Sequence, residues 1–198
     1  SLLISALGIV PDVRRTCTMD LKASGNKLYL VGETRKELGG SYYYRLHQLV
    51  GHSVPRQAKA GPEIARALHR AIAGGLVRAC HDCSEGGLAV ALAEMALAGK
   101  LGAEVELSAV PADGGAGRAA EWLLFAESNA RYLVEVEPEQ AQALEEVLAH
   151  VPHACIGQVV REQALTVRDD QDVLFSLPIQ ALRDAWRGHL TADEEGGR

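Results

Sequence analysis

The hydrophobic and polar positions of this chain follow two periods, which predict strands and helices that interleave along its length. Compact apolar runs bounded by turn residues predict strands, and they lie at residues 2–10, 27–32, 76–80, 103–107, 131–136, 153–160, 164–168 and 173–177. Apolar residues that recur at helical spacing predict helices. These lie at residues 42–50, 61–74 and 88–98, in a short stretch ending at 124, and in stretches that start at 138 and 178.

Turn and cap residues refine two of these boundaries. The run Ser24-Gly25-Asn26 predicts a turn between residues 13–20, which alternate loosely, and the strand at 27–32. We therefore expect these two segments to form a β-hairpin. The helix that follows has Ser41 as a suitable N-cap, although a cap nearer Gly39 fits the pattern equally well.

The order of these elements predicts the fold class. Helices and strands interleave without an internal repeat or a long linker, so we expect an α+β fold, a mixed β-sheet with helices packed on its faces. We expect a single domain over residues 1–190. Residues 191–198 are polar and acidic and contain two glycines near the end, which predicts a disordered tail.

Composition and charge narrow the possible functions. Of the 198 residues, 47% are hydrophobic and 23% are charged, as in ordinary globular proteins. A formal net charge of −6 argues against a nucleic-acid partner, which needs clustered basic residues. No apolar run approaches the ~20 residues that cross a bilayer, so no membrane partner is expected. Four cysteines are too few for a disulfide-stabilised scaffold, and we expect them to be reduced in the cytoplasm.

The first residues of the chain are those expected of a piece cut from a longer protein. It begins at Ser1 rather than Met and opens directly on an apolar run. It lacks the basic region and the small-residue cleavage site of a signal peptide. We therefore expect the chain to be the C-terminal portion of a longer protein.

The first candidate site is a strand–loop–helix unit. A predicted strand leads to His81 and Asp82, and Gly86-Gly87 then opens a helix. The N-terminus of a helix has unpaired N–H groups and a positive dipole, which together favour anions. His81 or Asp82 could then orient the ligand. The alternative is purely structural: Ser84 or Asp82 caps the helix, and the glycines allow a tight turn.

The second candidate site precedes a predicted strand. Glu127, Ser128 and Arg131 lie within five positions, and a guanidinium can grip a phosphate or a carboxylate with two hydrogen bonds. The alternative, which is commoner on protein surfaces, is an ion pair between Glu127 and Arg131. We expect the loop at 81–87 and the segment at 127–131 to converge on one face and form a half-built anion pocket, because both lie at strand ends, with Arg131 supplying the charge.

A zinc site is the third possibility. Cys80 and Cys83 have C-x-x-C spacing, and His150, His153 and Cys155 lie together later in the chain. Spacing alone is permissive, and a second C-x-x-C pair is absent. We expect neither a metal nor a disulfide, with Cys80 pointing into the core and Cys83 in the loop, so that their side chains diverge.

Three motifs resemble one known family, the phosphoribosylformylglycinamidine synthases. Residues 81–94 read H-D-C-S-E-G-G-L-A-V-A-L-A-E and are similar to its H-D-x-S-D/E-G-G-L-A-x-A-L-A-E segment. Residues 30–34 with 38–41, L-V-G-E-T and L-G-G-S, resemble a second element, and residues 124–131, L-F-A-E-S-N-A-R, resemble its L-F-x-E-S-x-x-R element. The motifs occur in the family's order, and the form of residues 81–87 is that of its second half.

The resemblance implies a role as well as a fold. The fold would be like the C-terminal domain of aminoimidazole ribonucleotide synthetase, and the reaction would be ATP-dependent conversion of formylglycinamide ribonucleotide to its amidine with ammonia from glutamine. The family's catalytic and magnesium-binding stretches are absent here, so we assign no catalytic and no metal residue. The residues that carry over as a candidate ligand cleft are Gly39, Gly40, Ser41, His81, Asp82, Ser84, Glu85, Gly86, Gly87, Glu127, Ser128 and Arg131.

The resemblance also implies cofactors and partners. ATP and Mg²⁺ would be bound mainly by the domain that is missing here, with none bound tightly by this chain. The partners would be the remaining domains of the synthase, a glutaminase subunit and a small accessory subunit. Apolar surface that faces those domains should remain exposed around residues 2–10.

Two other functions fit the same residues. The chain could be a nucleotide-binding structural or assembly domain without chemistry. It could also belong to a related selenophosphate or thiamine-phosphate enzyme, although those usually lack the run from His81 to Glu85.

Overall fold

A computed structural model describes residues 3–113 and 118–195, without the side chains of 189–195. Within these residues the strands are β1 (Lys27–Val31), β2 (Ala79–Asp82), β3 (Gly102–Glu106), β4 (Tyr132–Val136), β5 (His153–Val160), β6 (Ala164–Asp169) and β7 (Asp172–Pro178). The α-helices of the same described residues are α1 (Tyr42–Leu46), α2 (Gly61–Ala73), α3 (Gly87–Gly99), α4 (Ala120–Phe125), α5 (Ala141–Leu148) and α6 (Ile179–Glu195).

The strands form one mixed sheet. Across the described residues its order is β2-β4-β1-β5-β3-β6-β7. The pair β3–β6 is parallel and the other neighbours are antiparallel. The predicted α+β class, a mixed sheet with helices on its faces, is therefore confirmed.

Hydrophobic cores cover both faces of the central strands. In β1, Leu28 and Leu30 pack on the face that carries α3, α4 and α6. Tyr29 and Val31 point the other way, towards α2 and α5. Because side chains alternate between the faces of a sheet, a strand covered on both sides must be apolar at nearly every position. This accounts for the continuous apolar run that predicted β1.

The predicted hairpin between residues 13–20 and β1 is wrong. β1 already has β4 on one side and β5 on the other, so neither edge is free for a third strand. Val13–Arg15 instead form a short 3-10 helix. Thr18 makes an isolated parallel bridge to Ala79 at the start of β2.

The turn before β1 is held by a buried carboxylate. Glu135 of β4 is fully buried. It accepts hydrogen bonds from the backbone N–H groups of Lys22 (2.8 Å) and Ala23 (3.1 Å) and from the side-chain amide of Asn26 (2.6 Å). The turn signal at residues 24–26 was therefore correct, but the turn joins β1 to an irregular segment rather than to a strand.

The predicted first strand, residues 2–10, is also wrong over its described part. Residues 3–10 have no regular structure, and Leu3, Leu7 and Ile9 are 91%, 102% and 93% exposed. Residue 2 lies outside the described residues. Among the described residues, no strand pairs with this segment, so its apolar side chains are not buried by a neighbour. The separate expectation of exposed apolar surface around residues 2–10 is confirmed for residues 3–10.

Two other boundaries differ from the sequence pattern. β2 begins at Ala79 rather than at 76. α1 ends at Leu46 rather than at 50, because Gln48 adopts a left-handed backbone (φ 57°) that cannot continue a helix.

The end of the chain was predicted as a tail over residues 191–198. α6 continues to Glu195 and so includes residues 191–195, while residues 196–198 lie outside the described part. The assignment of a single domain to residues 1–190 stays a prediction.

Candidate functional site

The two candidate segments lie side by side because β2 and β4 are neighbours. Asp82 at the end of β2 is in register with Tyr132 at the start of β4. Beyond this pair, the backbone N–H of Cys83 donates to the carbonyl of Arg131 (2.9 Å). The loop after β2 and the segment before β4 therefore meet at one edge of the sheet, and the predicted convergence is confirmed.

The carboxylate of Glu127 joins two helix N-termini at this meeting point. One of its oxygens, Oε1, accepts from the backbone N–H of Gly86 (2.9 Å), the residue just before α3, and from that of Tyr42 (3.0 Å), the first residue of α1. Ser41 completes the cap of α1 by accepting from the N–H of Tyr44 (3.2 Å). Ser41 is thus the N-cap, and Glu127 occupies the place that a bound anion would need.

Glycine is required where the loop turns into α3. Gly86 and Gly87 have φ values of 77° and 65°, in the left-handed region. A Cβ on Gly87 would lie 2.5 Å from the carbonyl oxygen of Ala126 and 2.8 Å from that of Leu124. The two glycines therefore let α3 approach the end of α4, which explains them without a ligand.

An open cleft of about 390 Å³ lies between the two segments. It is lined by Pro55, Asp82, Cys83, Ser84, Glu85, Glu127, Asn129, Ala130, Arg131 and Tyr132. Three of these side chains are carboxylic acids and one is a guanidinium. An acid-rich wall of this kind repels phosphate and favours cationic groups.

Arg131 does not offer its charge to the cleft as predicted. The residue is 1% exposed. Its Nε donates to the carbonyl of Ser128 (3.1 Å), its Nη1 to the hydroxyl of Thr34 (3.0 Å) and its Nη2 to the carbonyl of Ala126. Burial lowers the pKa of this guanidinium, and nearby thiol and carboxyl groups oppose that shift. Arg131 therefore ties residues 126–128 to Thr34 in the segment after β1. Its buried guanidinium contradicts the prediction that it supplies charge to the cleft.

His81 lies on the other side of β2. Its Nε2 is 2.9 Å from a carboxylate oxygen of Glu94 on α3, and its Nδ1 is 3.4 Å from Asp82. Ser84 donates from its hydroxyl to Asp82 (2.9 Å), so this loop is tied to the strand end. His81 therefore links β2 to α3 rather than lining the cleft.

Three further motif residues have structural partners. Ser128 is fully buried, and its hydroxyl accepts from the N–H of Arg35 (3.0 Å). Gly39 and Gly40 donate their backbone N–H groups to the carbonyls of Ser53 (2.9 Å) and Val50 (2.8 Å). The motif L-G-G-S therefore shapes the loop that carries α1.

Some cleft residues carried no sequence signal. Pro55 reaches the cleft from a distant loop, and no local pattern marks it. Asn129 and Tyr132 line the cleft and lie within or next to the motif at residues 124–131, but they were not among the predicted cleft residues.

The cysteines diverge as expected, with Cys80 packed against a core and Cys83 in the loop, but Cys83 is the more buried of the two. Cys83 is buried in the core beneath α3, whereas Cys80 is half-buried against the opposite core. Burial raises the pKa of the Cys83 thiol to about 11. Among the described residues, no three histidine, cysteine or acidic side chains are grouped so as to hold a metal ion.

The fold and site together define a class. A mixed sheet whose glycine loop packs α3 against α4 is a domain of the aminoimidazole ribonucleotide synthetase type, and residues 23–170 match the family described as AIR synthase related protein, C-terminal domain. The chain belongs to this family. In the part of the chain that the structure describes, no helix combines the length and apolar character of a membrane span.

Similar proteins point to one enzyme. Subunit PurL of phosphoribosylformylglycinamidine synthase from Moorella thermoacetica is 38% identical over 192 residues, which are 93% of this chain and 25% of that protein. The solved T. maritima PurL complexed with FGAR has a TM-score of 0.77 at 22% identity over 86% of this chain and 30% of its own.

A second solved structure, PurLQS from Thermotoga maritima, has a TM-score of 0.74 at 21% identity over 86% of this chain and 28% of that one. At these identities the solved structures establish the fold alone. This chain spans about a quarter of the length of the curated relatives it matches.

Proposed function

We propose that this chain acts as the C-terminal domain of a cytoplasmic phosphoribosylformylglycinamidine synthase, which converts formylglycinamide ribonucleotide to its amidine in purine biosynthesis. The single observation that carries the proposal is the 38% identity to the Moorella thermoacetica subunit across 93% of this chain. The family match over residues 23–170 is consistent with it.

The domain's role would be structural and positional rather than chemical. A nucleotide does not fit the cleft on this chain's residues alone, because Asp82, Glu85 and Glu127 would face its phosphates. The N–H of Gly86 already donates to Glu127, and the guanidinium of Arg131 already donates to three acceptors of this chain. ATP and Mg²⁺ would therefore be bound mainly by other domains of the synthase. The candidate cleft of the sequence motifs would form one wall facing them.

Exposed apolar side chains suit this role. Leu3, Leu7 and Ile9 in the N-terminal segment, and Leu46 and Val50 after α1, are all more than three-quarters exposed. Apolar surface of this extent is usually covered by a partner. The partner we propose is the rest of the synthase, with the glutaminase subunit and a small accessory subunit in the same assembly.

The test is a domain exchange. The matching quarter of the Moorella thermoacetica subunit is replaced by this chain, and amidine formation from ATP, ammonium and formylglycinamide ribonucleotide is measured. We expect the chimera to form amidine, and the 198-residue protein alone to form none above a blank without protein.

Two outcomes would contradict the proposal. Amidine formation by the 198-residue protein alone would show that it is a complete enzyme. A chimera that elutes as a folded protein, matches the parent's circular dichroism and still makes no amidine would show that the domain serves another function.

A further inference from the structure

Two cysteines that no motif connects lie together at the free edge of the sheet. Thr18 bridges Ala79 in parallel, and the N–H of Cys80 donates to the carbonyl of Thr18 (3.2 Å). Cys17 directly precedes Thr18 and Cys80 directly follows Ala79, so the two cysteines flank this bridge, and both side chains pack against the core shared by α2 and α5. Ala79 packs in the opposite core, so Cys17 and Cys80 lie on one face of the sheet as neighbours across the bridge.

Cys17 is open to solvent on two sides. It lines one shallow pocket with His69 and Ile72 of α2, and a second one whose other members include the basic residues Arg14, Arg15, Lys22 and Arg78. A small polar oxidant can therefore reach its sulfur, and the surrounding positive charge favours a thiolate over a thiol.

The other two cysteines differ in kind. Cys83 is buried in the opposite core, away from solvent. Cys155 is exposed on β5, where its thiol donates weakly to the carbonyl of Gly157 (3.6 Å). Within the described residues, only the Cys17–Cys80 pair combines access to solvent with a second cysteine beside it on the same core.

The charge distribution assigns different roles to the two sulfurs. The hydrogen bond from Cys80 lowers the pKa of Cys17 to about 7, against the effect of burial, and Lys22 adds to the lowering. The same contact raises the pKa of Cys80, with burial adding to it. The Cys17 thiolate causes much of this rise in the pKa of Cys80. Conversion of Cys17 to a neutral species would remove that negative charge, so that Cys80 could ionise and react.

We propose that Cys17 and Cys80 form a peroxide-oxidisable site that closes reversibly into a disulfide. The Cys17 thiolate attacks one oxygen of hydrogen peroxide, and the O–O bond breaks to give a sulfenic acid and, after protonation, water. The sulfur of Cys80 then displaces hydroxide from that sulfenic acid, which leaves as a second water and forms the S–S bond. Two thiols lose two electrons in total, peroxide gains them, and a dithiol reductant reverses the reaction.

Closure joins two side chains that lie on one face of the sheet. The two sulfurs must approach each other to a bond of about 2.05 Å. Residues 3–12 have no regular structure, and the segment carrying Cys17 is paired to β2 through the Thr18 bridge. The disulfide would covalently anchor this segment to β2, the strand that leads into the cleft loop.

The test uses the purified, fully reduced protein. After a short exposure to hydrogen peroxide, free thiols are blocked with N-ethylmaleimide and the protein is digested with trypsin. We expect free thiols to fall from four per chain to two, with residues 16–22 linked to residues 79–100 within a monomer. Dithiothreitol should restore all four.

Variants identify the sulfurs, because residues 79–100 contain both Cys80 and Cys83. Cys83→Ser and Cys155→Ser should retain the linkage. Cys80→Ser should abolish it and leave a Cys17 sulfenic acid that dimedone labels. Dimedone labelling of the wild-type protein at short times gives the same assignment if Cys80→Ser does not fold.

Three results would overturn the proposal. One is a linkage that persists in Cys80→Ser. Another is a loss of thiols confined to dimers joined through Cys155. The third is a wild-type Cys17 that peroxide leaves fully free while Cys155 is oxidised.

Discussion

The carboxylate of Glu127 accepts a hydrogen bond from the backbone N–H of Gly86 at 2.9 Å, directly before the first turn of α3. The sequence predicts an anion site at the N-terminus of α3. In the structure, a carboxylate of the protein itself already occupies this position. The same oxygen also accepts from the N–H of Tyr42 at the start of α1. Glu127 therefore couples two helices and the segment before β4, and this role suffices to explain the motif's glutamate.

Removal of the Glu127 carboxylate should destabilise the protein. Hydrogen bonds to charged groups contribute about 1.5–3 kcal/mol, so we expect Glu127→Ala to lower the free energy of unfolding in urea by about that amount. Glu127→Gln keeps an acceptor oxygen and should lose less. The control is Glu121→Ala, an exposed glutamate on the preceding helix, which should change stability by less than about 0.5 kcal/mol. Equal effects at positions 121 and 127 would contradict the capping role.

Substitution of Gly87 tests the close packing of α3 on α4. Gly75 and Gly87 share a left-handed backbone, but a Cβ at Gly75 would meet nothing within 4 Å. Gly75→Ala should therefore cost only the conformational penalty of about 1–2 kcal/mol. Gly87→Ala adds contact with two carbonyl oxygens and should cost about 3 kcal/mol or more in urea unfolding. A difference near zero between the two variants would mean that α3 shifts freely.

Local periodicity correctly predicted those strands and helices whose own residues show which faces are buried. β1 is apolar at nearly every position because both of its faces are covered, and α2 has its apolar residues on one side, towards α5. The N-terminal apolar run failed as a strand because burial also requires a neighbour. In this structure no strand lies beside Leu7, whose side chain is fully exposed.

The site was located correctly but its chemistry was not. The sequence placed Gly86, Glu127 and Arg131 together because both segments lie at strand ends, where loops and helix N-termini gather. Whether a guanidinium faces solvent or the interior depends on acceptors from elsewhere in the chain. Thr34 and the carbonyl of Ala126 receive Arg131 here, and no pattern along the sequence encodes that convergence.

Arg131 should therefore matter for stability more than for catalysis. Arg131→Ala leaves three buried acceptors without a donor, and each should cost about 1 kcal/mol or more. Arg131→Lys keeps the charge but cannot supply donors in three directions, so an intermediate loss is expected. In the domain exchange described above, activity per folded molecule should change little. The matched control is Arg66→Ala, an exposed arginine of α2, which should leave stability within about 0.5 kcal/mol. A folded Arg131→Ala protein with lost turnover would favour a direct role.

The rate of Cys17 alkylation should depend on pH in a defined way. The thiolate is the reactive form, so the rate with iodoacetamide rises with pH and should be half-maximal at about pH 7, the pKa of this thiol. At pH 7, Cys17 has a larger thiolate fraction than a free thiol of pKa ~8.5, but each thiolate is less nucleophilic. The larger fraction outweighs the lower nucleophilicity, so Cys17 should react about threefold faster. Cys80→Ala removes the donor and should shift the midpoint upward, whereas Cys83→Ala should not. An unchanged midpoint in Cys80→Ala would show that Cys80 does not stabilise the thiolate.

The exposed apolar segment should govern how the protein self-associates. Leu7 and Ile9 are 102% and 93% exposed, so replacing both with aspartate removes apolar surface without opening a cavity. We expect Leu7→Asp/Ile9→Asp to reduce concentration-dependent association in sedimentation velocity and binding of an apolar dye, with the urea midpoint unchanged. Ser5→Asp/Gly8→Asp adds the same charge to the same segment but removes no large apolar side chain, and should reduce both less. If the two double variants behave alike, charge rather than apolar surface controls association. A wild-type protein that stays monomeric and binds no dye would contradict the proposal that this segment contacts the rest of the synthase.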